Sequence, residues 1–126
     1  SNSNRPSDEV WFDDRRVEMS LTQSIFAGNV SKLIRYINET GHTCTFGEAW
    51  RTPEMAEIYA KRGTGIKKSL HCERRAIDLN LFLEGKYLTD GNAHKPFGDY
   101  WESLDPRNRW GGRFNDGNHY EMGEAI

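Results

Sequence analysis

The clearest strand pattern in this chain is Arg75-Ala76-Ile77-Asp78-Leu79-Asn80-Leu81-Phe82-Leu83. A strand places alternate side chains on opposite faces. One face therefore carries Asp78 and Asn80, and the other carries a row of aliphatic side chains. Glu84-Gly85 predicts a turn that leads back through Lys86-Tyr87-Leu88. The pattern indicates a hairpin whose first strand is central to a small sheet.

Apolar spacing and turn residues predict further elements on both sides of this hairpin. They are a long helix over residues 17–38, a strand over 43–50, a helix that Thr52 caps and that ends near Lys61, a helix over 97–104, and a last strand over 119–122. We expect Leu21, Ile25, Leu33 and Ile37 to pack into the core. The order favours one α+β domain over residues 1–126, with a small, mainly antiparallel sheet flanked by helices and a flexible N-terminal arm over residues 1–10.

The composition excludes several classes of function. Lys and Arg number 17 against 19 Asp and Glu, a net charge of −2 that does not suit a nucleic-acid partner. No run approaches the roughly 20 apolar residues of a membrane span, so we expect no membrane insertion. Cys44 and Cys72 are expected to be free thiols, and His42 and His94 to be exposed. We further expect a monomer, made in the cytoplasm without a recognisable signal peptide.

Two acid and imidazole pairs point to a metal site. His71 precedes Asp78 by an odd number of residues, so the two side chains converge only if residues 72–75 bend before the strand begins. Asp116 and His119 lie on either side of a predicted turn at Asp116-Gly117. Two His and one Asp are the three protein ligands of a catalytic zinc site, and the remaining Asp would then be free to accept a proton.

Each of these residues also has a purely structural interpretation. An Asp before Gly commonly caps backbone N–H groups in a turn, and Asp116 fits that pattern. Asp78 could pair with Arg74 or Arg75, and His119 could be a core histidine. Spacing alone therefore leaves both interpretations open.

Three separated motifs resemble one enzyme family. Ser69-x-His71-x-x-Arg74-x-Ala76-x-Asp78 followed by Asp116-x-x-His119 is similar to the S-x-H-x-x-G-x-A-x-D and acid-x-x-H motifs of the VanY-like zinc D-alanyl-D-alanine peptidases. The segment Glu48–Glu54 looks like the family's strand-Arg-Ser/Thr-helix segment. The short single-domain L-alanyl-D-glutamate endopeptidases of phage endolysins match best, because they share the Asp before the last His, Trp110-Gly111-Gly112 and His119-Tyr120-Glu121. The resemblance runs from about residue 21 to 122.

The resemblance implies a fold, a cofactor and a reaction. The fold is that of the Hedgehog and DD-peptidase proteins, and the cofactor is one zinc ion with His71, Asp78 and His119 as ligands. Asp116 is implied to be the general base. The implied substrate is the peptidoglycan stem peptide, cut between L-Ala and D-Glu by a phage endolysin that is made in the host cytoplasm and acts on the cell wall.

The resemblance also implies two substrate contacts and includes two departures. Arg51 would stabilise the oxyanion or hold a carboxylate, and Ser69 would help to hold the substrate. Arg74 stands where many relatives have Gly, so we expect that the bend after His71 does not use a glycine conformation, and that Arg74 contacts substrate or an acidic neighbour. Asn118 replaces the Trp of the carboxypeptidase branch.

Two alternatives to an endopeptidase remain. One is a D-alanyl-D-alanine carboxypeptidase or dipeptidase, and the other is a zinc-containing wall-binding domain without catalysis.

Overall fold

The structure is a computed structural model that describes residues 14–65 and 69–124. The predicted N-terminal arm lies outside these ranges. Within them the chain forms three α-helices and five strands: α1 (Asp14–Glu39), β1 (His42–Phe46), α2 (Pro53–Lys61), β2 (Ala76–Leu83), β3 (Lys86–Tyr87), α3 (Lys95–Leu104), β4 (Asn108–Trp110) and β5 (His119–Met122). Short 3-10 helices cover Leu70–Glu73, Gly91–His94 and Gly111–Phe114.

The strands form one sheet in the order β1-β2-β5-β4, with β3 paired to the far end of β2. Every strand pair between described residues is antiparallel. β2 is central because β1 covers one of its edges while β5 and β3 share the other. The predicted α+β class, the antiparallel sheet and the hairpin at Glu84-Gly85 are confirmed.

The two faces of the sheet have different roles. Helices α1 and α3 pack on the face that carries Ile77, Leu79 and Leu81, and this layer is the hydrophobic core. On β5, Tyr120 and Met122 point into the same core and are fully buried. Alternation then leaves the polar side chains of β2 and β5 on the opposite face.

Helix α1 confirms the predicted long helix but changes its buried face. The side chains that reach the core are Phe26, Val30, Leu33 and Ile37. Leu21 and Ile25 are 58% and 44% exposed, so the expectation that they pack into the core was wrong. At 3.6 residues per turn, Ile25 lies about 80° and Leu21 about 120° around the helix from Leu33, which carries both away from the sheet.

Strand β1 ends at Phe46, four residues before the predicted end. Gly47 N–H donates to the carbonyl oxygen of Asp78, and the Asp78 N–H donates to the carbonyl oxygen of Glu48. Gly47 and Glu48 therefore oppose the single residue Asp78, which is the pattern of a β-bulge. A Cβ on Gly47 would lie 3.1 Å from the Asp78 Cβ, so this close approach suits glycine. The bulge turns the following segment across the polar face of the sheet.

Burial of the histidines differs from the expectation. His94 is only 2% exposed, and its Nδ1 lies 2.7 Å from the Tyr120 hydroxyl oxygen. His42 is half-buried, edge-on to Phe97. Both were expected to be exposed because turn-like residues precede them, but the sheet and α3 pack over these turns. Cys44 and Cys72 are free, as predicted, and both are half-buried.

Candidate metal centre and active-site cleft

The bend between His71 and Asp78 is a 3-10 turn that ends in a left-handed residue. Ser69 caps the turn, because its Oγ accepts the N–H of His71 at 3.1 Å. Arg74 ends the turn at φ 57° and ψ 35°, a conformation that favours glycine. The expectation that the bend avoids a glycine conformation was therefore wrong.

Within the described residues, Arg74 pairs with no acidic side chain and does not line the cleft. A left-handed residue other than glycine costs about 1–2 kcal/mol. The Arg74 guanidinium lies over the Trp50 ring, with Cζ 4.4 Å from the ring centroid, and its N–H donates to the carbonyl oxygen of His71. These contacts offset part of that cost. Arg75 pairs with Glu73 at 2.8 Å, so neither arginine is the partner of Asp78.

His71, Asp78 and His119 meet on the polar face of the sheet. Asp78 Oδ1 lies 3.3 Å from His71 Nε2 and 3.1 Å from His119 Nδ1. One ligand atom from each residue lies within 4.8 Å of the other two. Asp78 and His119 are paired residues of β2 and β5, and the 3-10 turn brings His71 over them.

The outer nitrogen of each imidazole is already hydrogen-bonded to an acceptor. His71 Nδ1 lies 3.4 Å from the carbonyl oxygen of Ala49, and His119 Nε2 lies 2.8 Å from Oε1 of Glu121. Because these partners only accept, the outer nitrogens carry protons. The inner nitrogens then face the Asp78 carboxylate, where each can bind a proton or a metal ion.

A cation fits this cluster. Two imidazole lone pairs and a carboxylate repel one another unless a proton or a metal ion lies between them. Nitrogen and oxygen donors of this kind are the set that zinc takes in catalytic sites, where the second imidazole nitrogen commonly donates to a carbonyl or carboxylate oxygen. His71, Asp78 and His119 would hold that ion.

Electrostatic interactions within the cluster favour an ionised Asp78 beside a protonated His119. Burial opposes ionisation of Asp78, but hydrogen bonds with His119 and His71 lower the pKa of Asp78 to about 2. Burial likewise opposes protonation of His119, but its bonds to Asp78 and Glu121 raise the pKa of His119 to about 9. Without a metal ion the cluster holds a proton on His119, and a bound ion takes the place of that proton.

Asp116 lies at the edge of the cluster. Its Oδ2 is 3.8 Å from His119 Nδ1, and its side chain is 52% exposed. Among the described residues no backbone N–H donates to this carboxylate, so the capping alternative has no support there. Burial raises the pKa of Asp116, the charge of His119 opposes this shift, and the charge of Asp78 adds to it.

Gly117 explains why the Asp116 turn keeps its shape. A Cβ at Gly117 would lie 2.5 Å from the Cα of Gly91, so no larger residue fits without movement. The Asp116 N–H donates to the carbonyl oxygen of Gly111, and the His119 N–H donates to the carbonyl oxygen of Asp116. Main-chain contacts therefore hold the turn, which leaves the Asp116 carboxylate available.

Arg51 follows the β-bulge and faces the same cleft. Its Nε donates to Oε1 of Glu48 at 2.8 Å, and Nη2 also contacts that oxygen. The guanidinium lies over the Tyr59 ring, 4.9 Å from the centroid, and the Arg51 N–H donates to the carbonyl oxygen of His71. Thr52 caps α2 directly after it, as predicted. Arg51 is thus held rigidly beside the cluster.

All of the predicted ligands, catalytic residues and substrate contacts line one cleft of about 560 Å³. They are Arg51, Ser69, His71, Asp78, Asp116 and His119. Ser69 is 6% exposed and lines the wall, although its hydroxyl already accepts a backbone N–H. Sequence reasoning overlooked Glu121, Arg109 and Phe114, which line the same cleft. Glu121 carried a usable signal, because it lies two residues after His119 on a strand and therefore shares its face.

Comparisons with known proteins identify a shared fold. No family model matches the sequence, and no curated protein matches it. The L-Ala D-Glu endopeptidase ChiX of Serratia marcescens matches with a TM-score of 0.62 at 15% identity, over 75% of this chain and 78% of that one. A mutant of the vancomycin resistance D,D-pentapeptidase VanY from a VanB-type resistance cassette, in complex with Zn(II), matches with a TM-score of 0.55 at 13% identity, over 79% of this chain and 71% of that one. The chain has the VanY-like peptidase fold. No helix in the described ranges is long and apolar enough to cross a membrane.

Proposed function

We propose that this protein is a zinc-dependent peptidase that cleaves the stem peptide of peptidoglycan, at the bond between L-Ala and D-Glu. The cluster of His71, Asp78 and His119 carries the proposal, because three acceptors converge on one point in an open cleft. Two of the structural neighbours are an L-Ala D-Glu endopeptidase and a D,D-pentapeptidase in complex with Zn(II). One zinc ion per chain is proposed.

A bound zinc ion supplies Lewis acidity, which polarises a carbonyl group and makes a nearby water more acidic. Asp116 accepts the proton of the attacking water and passes it to the leaving amine. Its raised pKa suits both steps, because a base with a pKa nearer neutrality also returns the proton more readily.

Arg51 supplies positive charge to the reaction. Glu48 and Tyr59 hold its guanidinium in place, so it stabilises charge that develops on the carbonyl oxygen, or holds a substrate carboxylate, without having to reorganise. Ser69 contributes to the wall against which the substrate lies.

The choice of scissile bond rests on sequence and on one neighbour. Asp116 rather than Glu precedes the last His, Asn118 stands in place of a Trp, and the neighbour with the higher TM-score is an L-Ala D-Glu endopeptidase. We further propose a monomeric phage endolysin that acts on the cell wall. A D-alanyl carboxypeptidase or dipeptidase and a wall-binding domain without catalysis are the other outcomes of the test.

Mass spectrometry of purified peptidoglycan after digestion with the zinc-loaded protein tests the proposal. We expect stem peptides that begin at D-Glu, together with disaccharide that retains L-Ala. Released D-Ala would assign the carboxypeptidase or dipeptidase activity instead. Intact peptidoglycan would reject catalysis. His71→Ala is the matched control, and we expect it to lose both zinc and product.

A further inference from the structure

We propose that Glu121 is a positioning residue of the metal centre, and that Arg109 holds it there. Glu121 fixes His119 in the tautomer that carries its proton on Nε2 and turns Nδ1 toward the metal ion. The inference rests on the proposed function only in taking His119 as a metal ligand.

Both oxygens of Glu121 are engaged, each by a different partner. Oε1 lies 2.8 Å from His119 Nε2, and Oε2 lies 2.6 Å from Nη2 of Arg109. The Glu121 side chain is 12% exposed, whereas that of Arg109 is 57% exposed. Within the described residues, His119 is the member of the cluster that Glu121 contacts, and Glu121 itself lies outside the ligand set of His71, Asp78 and His119.

The sheet is built to bring these groups together. Arg109 and Glu121 are paired residues on β4 and β5, and His119 and Glu121 lie two apart on one face of β5. Gly123 follows on the same face. A Cβ there would lie 3.0 Å from Nη2 and 3.1 Å from Cζ of Arg109, so the bare backbone leaves the guanidinium room to lie across β5.

This arrangement controls the orientation and charge of His119. A carboxylate that accepts the Nε2 proton prevents the imidazole ring from flipping and makes Nδ1 a better donor. The Arg109 guanidinium compensates the charge of Glu121, so the added carboxylate does not leave the centre with an excess of negative charge.

Zinc affinity, measured by competition with a chelator, tests the proposal without reference to hydrolysis. We expect Glu121→Ala to weaken zinc binding roughly 10- to 100-fold. Glu121→Gln, whose amide oxygen still accepts from Nε2, should lose less, and Arg109→Gln should lose only a few-fold. The matched control is Asp105→Ala, which removes an arginine-paired carboxylate of similar exposure outside the cleft and should leave zinc affinity unchanged.

Ring ¹⁵N chemical shifts of His119 in the zinc-loaded protein give a second readout. We expect a metal-bound Nδ1 and a protonated Nε2 in the wild type, and a mixture of ring states in Glu121→Ala. Zinc affinity of Glu121→Ala within about twofold of that of Asp105→Ala would overturn the proposal, and so would a Glu121→Gln variant as weak as Glu121→Ala. If Glu121→Ala does not fold, Glu121→Gln and Arg109→Gln decide the question through the same two measurements.

The two proposals fail in different ways. A wild-type protein that binds zinc through His71, Asp78 and His119 but cleaves no peptidoglycan rejects the peptidase and leaves the role of Glu121 intact. A wild-type protein that binds no zinc rejects both. Wild-type cleavage with unchanged zinc affinity in Glu121→Ala rejects the positioning role alone.

Discussion

Asp78 and His119 are directly paired residues on β2 and β5, and their side chains meet with Oδ1 3.1 Å from Nδ1. Cross-strand neighbours on one face have Cβ atoms about 5 Å apart, so these short side chains touch without any movement of the backbone. The register of the sheet therefore builds two-thirds of the candidate metal cluster. A slip of one residue would turn His119 into the core and destroy it.

Asp116→Asn tests the general base. Asn keeps the size of the side chain and leaves the main-chain contacts of the turn in place, but it cannot accept the proton. We expect zinc content to be unchanged and the rate to fall on the order of 10²-fold or more. Zinc content and rate must be measured on the same sample.

Retained activity in Asp116→Asn would contradict the catalytic role. Loss of zinc would instead make Asp116 a ligand. Asn115→Asp combined with Asp116→Asn is a useful companion, since it puts a carboxylate at the neighbouring position of the same turn and should not restore the rate.

Arg51→Lys tests the planar guanidinium. Lys keeps the charge but cannot make the two contacts with Glu48 or stack as Arg51 does on Tyr59. We expect a large loss of kcat/KM with little change in the free energy of unfolding. Arg62→Lys, at the exposed end of α2, is the matched control, and it should keep wild-type rates. Wild-type rates in Arg51→Lys would argue for a purely structural arginine.

The left-handed conformation of Arg74 predicts that substitution by Gly is tolerated better than substitution by Val. Arg74→Gly removes about 1–2 kcal/mol of conformational cost and loses a cation–π contact worth about 0.5–1 kcal/mol. We expect its free energy of unfolding to lie within about 1 kcal/mol of the wild-type value. Arg74→Val should be clearly less stable, because β-branched residues avoid this conformation. Urea unfolding measures both, and a Val variant as stable as the Gly variant would contradict the prediction.

Burial of His94 predicts a loss of stability in acid. Burial lowers its pKa to about 4, against 6.5 for an ordinary histidine. The unfolded chain therefore binds a proton at a higher pH than the folded chain. Neutral His94 therefore contributes at most about 3 kcal/mol to the free energy of unfolding. This contribution is complete above pH 6.5 and is lost as the pH falls to about 4. Urea unfolding near neutral pH and again near pH 4.5 measures it. His94→Gln should show a smaller loss than the wild type, and equal losses would contradict the prediction.

The sequence by itself determined the elements and their faces. Strict alternation in residues 75–83 predicted β2 and the side of it on which Asp78 lies. Thr52 and Pro53 predicted the start of α2, and Glu84-Gly85 predicted the hairpin. These features are local, because they depend on backbone conformation and on spacing within a few residues.

Tertiary structure decided how far each element packs and which partners each polar side chain finds. Periodicity placed Leu21 and Ile25 on an apolar stripe, but the sheet covers a different face of α1. His94 is buried against the distant Tyr120, and the contact with the distant Trp50 stabilises the left-handed Arg74.

Dependence on tertiary packing also explains why the sequence did not reveal some residues of the cleft. Arg109 and Glu121 meet only because β4 and β5 pair in one particular register, and Glu48 supports Arg51 only because a bulge turns the chain there. Spacing along the chain shows which residues share a face. Contacts between elements are set by long-range packing, which no local pattern contains.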